Sequence, residues 1–130
     1  MKVRSFRTLG IEEFSLDRFE WLPPPDTAWA VFSAIDLKPH QQLDRADDES
    51  RLGFCVEFLR PLANRPTAAN IGGTPGGENW RGVNCSEMRK FAEWWVAEGC
   101  PDFLLVDLES REGFSLQDEE VGITAFRKKL

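Results

Sequence analysis

The chain has little of what most catalytic centres are built from. It carries one histidine, His40, and three cysteines, Cys55, Cys85 and Cys100, with no CxxC spacing among them. A structural zinc takes four Cys or His ligands in close pairs, so zinc is excluded. A Ser-His-Asp triad could draw on His40 alone, which sits beside Pro39 in a polar stretch, and no GxSxG elbow occurs. No apolar run approaches the ~20 residues needed to span a bilayer, so no membrane association is expected. The opening MKVRSFRTLGIEEF is basic but lacks an apolar core segment, so no signal peptide is expected either. Three thiols cannot all pair, and they read as the reduced thiols of a cytoplasmic protein.

What is present suits one domain spanning 1–130. The chain has 130 residues, with 10 Phe and 5 Trp to fill a core. Its net charge of −6 is unevenly placed. Lys2, Arg4 and Arg7 open the chain, and Arg127, Lys128 and Lys129 nearly close it, leaving 10 basic and 22 acidic residues between these ends. Such a body repels phosphate backbones, which argues against nucleic acid, and attracts basic proteins. Two acidic runs stand out: DRADDE with Asp44, Asp47, Asp48 and Glu49, and DEE at 118–120. They can engage a basic partner and speed its association, or simply be solvated loops.

Along the chain, 1–26 reads as an irregular arm. Ser15 can cap a turn there, and Phe14, Phe19 and Trp21 can fold back onto the core. Pro23, Pro24 and Pro25 form a stiff connector. The alternation in AWAVFSAID (28–36) predicts a strand, 37–51 a turn and an acidic loop, and LGFCVEFL (52–59) a second strand paired with the first. Residues 60–82 read as a long Gly/Pro-rich loop. A structureless connection of that length is uncommon, so either a short element near Thr67–Ile71 is hidden in it or the loop has a function. A helix follows, with Asn84 as N-cap and Glu87 completing a capping box. Met88, Phe91, Ala92, Trp95 and Val96 lie on its apolar face, Gly99 ends it and Pro101 forbids its continuation. Residues 102–109 and 121–126 predict two further strands, with only a weak extended patch between them. The expected fold is α+β: a mostly antiparallel sheet of four or five strands with one major amphipathic helix packed on one face.

Three constellations carry possible chemistry. In IGGTPGGENWRG, Gly76, Gly77, Trp80 and Arg81 lie just ahead of the predicted helix. They can hold an anionic or nucleotide-like ligand through free N–H groups, a cation and a stacking face. The loop matches neither a P-loop nor GxGxxG, and a plain mobile loop explains it as well. Asp102, Asp107 and Glu109 could gather a divalent metal, but no Glu-x-Lys accompanies them, and Asp107 and Glu109 read rather as the solvated side of an edge strand. Cys85 at a helix start could have a lowered thiol pKa, or be a small semi-buried residue. Trp94, beside the core stripe, is expected half-exposed and able to anchor a partner.

These observations point to a small acidic protein acting by protein–protein interaction, of the inhibitor, immunity or regulatory adaptor type. It is expected to need no cofactor, no metal and no catalysis. The alternative is a small-molecule binder at residues 72–82 and the helix N-terminus. Oligomeric state is left open.

Overall fold

The computed structural model describes residues 11–34, 37–44, 47–72, 79–119 and 122–130. In chain order the elements are β1 (Glu12–Phe14), α1 (Pro25–Phe32), β2 (Gln41–Asp44), α2 (Asp48–Leu59), a 3-10 turn (Arg60–Leu62), β3 (Pro66–Ile71), β4 (Arg81–Asn84), α3 (Met88–Ala97), β5 (Phe103–Asp107), β6 (Glu112–Glu119) and β7 (Gly122–Lys129). The seven strands form one sheet in the order β1-β4-β3-β5-β6-β7-β2. Every neighbouring pair is antiparallel. The α+β class and the antiparallel sheet agree with the sequence pattern. Among the described residues the sheet has seven strands, not four or five, and three α-helices accompany it.

Two of the predicted strands are helices. In PDTAWAVF the buried residues are Pro25, Ala28 and Phe32, an i, i+3, i+7 spacing that marks one helix face. The prolines start this helix rather than merely stiffen a connector. Pro25 occupies the first turn, where a missing N–H costs nothing and the fixed φ is already helical. The segment 52–59 belongs to α2, in which Cys55, Phe58 and Leu59 face inward. Its start lies inside the run taken for an acidic loop. Asp47 is the N-cap and its Oδ1 accepts from the Ser50 N–H at 2.8 Å, while Asp48 and Glu49 occupy the first turn. Carboxylates are favoured there by the helix dipole.

Residues 60–82 are not one loop. The 3-10 turn and β3 fill its first half, β3 at the Thr67–Ile71 stretch where a hidden element was suspected, and β4 begins at Arg81. The α3 helix starts at Met88, three residues later than predicted, because Asn84 is held in β4 opposite Glu12 and Pro66. Its end is as the sequence implies. Gly99 has φ 84°, its N–H reaches Val96 O at 3.1 Å, and the Cys100 N–H reaches Trp95 O at 2.9 Å. The weak patch after Ser110 is the eight-residue strand β6, which separates β5 from β7, so those two do not pair directly.

Both faces of the sheet are covered. On the first, α2 and α3 pack over Ala69, Ile71, Phe103, Leu105, Phe114, Leu116, Ile123 and Ala125. Trp95 and Phe91 each meet Phe103 nearly edge to face, at 6.0 and 5.2 Å between ring centroids. On the second, α1 and the N-terminal arm cover Ala68, Leu104, Val106 and Phe126. Alternate residues of β5 therefore serve opposite cores, which is why FLLVD is apolar at nearly every position. Gly113 lets α1 come close, since a side chain there would collide with the ring of Phe32.

Candidate functional site

The two acidic runs, far apart in sequence, converge at one end of the sheet. In the β2–β7–β6 ladder, Asp44 and Glu119 both lie opposite Gly122, one on each side. Gly122 has φ 132°, and a side chain there would strike the carbonyl oxygen of Leu43. The Asp118 N–H donates to Asp102 Oδ1 at 2.9 Å, so a third acid joins at the start of β5. Asp47, Asp48 and Glu49 stand at the start of α2. Burial, above all, raises the Cys100 thiol pKa, and Asp118 and Asp48 both add to the shift while Arg51 opposes it, so these two acids lie within electrostatic reach of the same thiol. The Asp102 carboxyl is likewise pushed up, first by desolvation and then by the charges of Asp118 and Glu119. The side chains of Asp44, Asp47, Asp48, Glu49, Asp102, Asp118 and Glu119 belong to exposed residues. Arg51 Nη1 offsets part of this charge from 3.8 Å off Asp48.

The residues expected to bind a ligand lie elsewhere. Gly76 and Gly77 fall outside the described residues. Trp80 and Arg81 stand at the start of β4, near the β1 edge of the sheet. Among the described residues, none of α3 lines the pocket that they form. Instead they line a groove of about 360 Å3 together with Glu13, Phe14 and Asp17 from the arm. Trp80 is anchored, its Nε1–H donating to Pro23 O at 2.7 Å. Arg81 Nη1 lies 3.9 Å from Glu13 Oε1. The stems of the loop are tied to α1 by Asn70, a buried side chain 2% exposed. Its Oδ1 accepts from Trp29 Nε1 at 2.7 Å and its Nδ2 donates to Asn79 O at 3.0 Å. Ser15 caps its turn as expected, accepting from the Asp17 N–H at 3.3 Å.

Trp94 is buried at 5% exposure, packed against Phe91 inside the first core, rather than half-exposed. It belongs to the cluster that α2, α3 and the sheet build together, which the sequence of α3 alone does not encode. Asp107 is buried too, because β5 is a central strand and not an edge. Its Oδ2 accepts from Arg65 Nε at 2.6 Å and its Oδ1 from the Glu109 N–H at 3.0 Å. Burial alone would raise its pKa, but these bonds outweigh it and hold the carboxyl below the usual range. With its oxygens engaged in this way, Asp107 serves as a structural clamp on the β5–β6 turn. Among the described residues no group of three or more His, Cys, Asp or Glu side chains is gathered to hold a metal. Cys85 precedes α3 instead of starting it. Burial raises its thiol pKa, so the helix does not activate it.

Among the described residues no helix is long and apolar enough to cross a membrane. No family model matches the chain, and no curated protein or solved structure proves similar to it.

Proposed function

We propose that the protein acts by binding a basic protein partner through the acidic end of its sheet, in the manner of an inhibitor, immunity protein or regulatory adaptor. The observation that supports this is the convergence of Asp44, Asp118 and Glu119, with Asp102, at one exposed end of the sheet, where Asp48 and Asp118 both act on Cys100. Clustered carboxylates of one sign raise the encounter rate of an oppositely charged partner and repel partners of like charge. Some of these acids also have local work, since Asp47 caps α2. Asp44, Asp48 and Glu49 are therefore the better probes. For a partner isolated by affinity capture, reversing these three to lysine should lower the association rate about tenfold at low salt, with the difference closing at high salt. An unchanged rate would remove the rim from recognition.

The groove beside Trp80 and Arg81 favours a second reading, small-ligand binding at the β1–β4 edge.

A further inference from the structure

We infer that the groove at the β1–β4 edge takes an organic cation, a guanidinium or alkylammonium group, and not the anion that Trp80 and Arg81 suggest in the sequence. The inference rests on the second reading, that this groove is a ligand site. It is independent of the acidic rim, which lies at the opposite edge of the sheet.

The sign of the site follows from which side chains the fold brings together. Arg81 supplies one positive charge, but the arm adds two carboxylates to the same walls, Glu13 and Asp17. Glu13 faces Arg81 at 3.9 Å, so that pair largely neutralises itself. Asp17, on the exposed turn after β1, is left as the carboxylate that sets the balance, so among the described lining residues two acids face one base. An anion entering it would meet Glu13 and Asp17 and find Arg81 already engaged.

The rest of the wall suits a cation with an apolar body. Phe14, Leu16 and Trp80 contribute aromatic and aliphatic surface beside the carboxylates. Cations favour the electron-rich faces of aromatic rings, Trp most of all, and guanidinium groups also match carboxylates in a planar fork. The same arm already does this internally. Arg18 lies over Phe19 at 5.0 Å and Arg111 over Trp21 at 4.7 Å. Trp80, a neighbour of these rings in the second core, has no such cation among the described residues. Its indole N–H is spent on Pro23, which fixes the ring without occupying the groove. The volume of about 360 Å3 exceeds what one alkylguanidinium needs, so a side chain presented on a peptide fits as well as a free molecule.

The test is a nitrogen-15 NMR titration of the full chain with three probes: agmatine, the peptide Gly-Arg-Gly and inorganic phosphate. Agmatine and the peptide should shift the Trp80 indole resonance and the Ser15 and Gly82 amides, and phosphate should not. Tighter binding of the peptide would identify a partner's arginine as the source, and tighter binding of agmatine a free cation. Asp17→Asn, a surface change with no core contact to lose, should weaken either cation about threefold. Phosphate shifting these resonances while the cations do not would overturn the inference and leave a ligand site. Silence from all three probes would overturn the ligand reading with it. Undiminished cation affinity in Asp17→Asn would overturn the electrostatic argument.

Discussion

The two faces of the sheet are covered by different means. The first is sealed by two helices of 12 and 10 residues whose side chains interdigitate with the strands, and Trp95, Phe103 and Phe114 are almost wholly removed from water there. The second is covered by one eight-residue helix and an irregular arm. Many of its apolar side chains, among them Phe14, Phe19, Trp21 and Trp29, are only partly buried. Hydrogen bonds from Trp29, Asn70 and Trp80 supply the order that close packing supplies on the other side. A helix of eight residues is too short to hold itself together in water. It persists because Phe32 reaches the sheet over Gly113 and because Gln117 Nε2 donates to Phe32 O at 3.1 Å. One face is thus the more closely packed, and the other carries the groove.

The largest test of this contrast is a pair of truncations. Trp95→Ala should cost about 3–5 kcal/mol in chemical denaturation, the usual range for a buried aromatic. Trp21→Ala should cost about 1–2 kcal/mol, because a half-buried ring recovers roughly half the transfer energy. Equal costs would mean that the second face is as well packed as the first.

Next in size is the polar bracket. Asn70→Ala leaves the Trp29 indole N–H and the Asn79 carbonyl without their partner and should cost about 1–3 kcal/mol. If second-face order depends on hydrogen bonding, amide exchange in α1 should rise more than in α3. A uniform rise across both helices would contradict that.

The Arg65–Asp107 clamp sharpens the contrast through pH. The Asp107 pKa is depressed in the folded chain, so its contribution is complete above the ordinary carboxyl value of 3.8 and is lost as pH falls through the folded value. Asp102 works in the opposite sense: its raised pKa adds stability on protonation, and that gain disappears as pH rises through its folded value. Asp107→Asn should flatten the acid limb of the stability profile below pH about 4. An unaltered acid limb would show that the clamp is not what acid dissolves. The smallest effect should come from Asp47→Ala, which removes the N-cap of α2 and should slightly lower the thermal midpoint.

Some of these features were legible in the residues, and the reasons differ. The apolar stripe of α3 and its stop at Gly99 and Pro101 are local, and they hold. So does Ser15, whose bond spans two residues. The start of α2 was legible but missed: Asp47 followed by Asp48, Glu49 and Ser50 is a helix N-terminus, yet in an acidic stretch it passes for a solvated loop. The Leu52, Phe54, Val56, Phe58 alternation then favoured a strand, although Cys55, Phe58 and Leu59 fit a helix equally well. Short amphipathic segments support both periods, and contacts beyond the segment decide between them. The candidate sites depend on longer reach still. Nothing near Trp80 or Arg81 in sequence announces Glu13 and Asp17, and nothing near Asp44 announces Glu119.

By itself the sequence determined the quantities that do not depend on contacts: an acidic chain, one histidine, enough aromatics for a core, an α+β alternation of patterns, and the place where α3 must end. Tertiary structure alone decided which apolar segments became helices, where each strand sits in the sheet, that Trp94 and Asp107 are buried, and which charges share a surface. The physical reason is range. Caps, glycine turns and proline restrictions act over a few residues, whereas strand order, burial and local electrostatic sign arise from residues tens of positions apart that meet only when the sheet has formed.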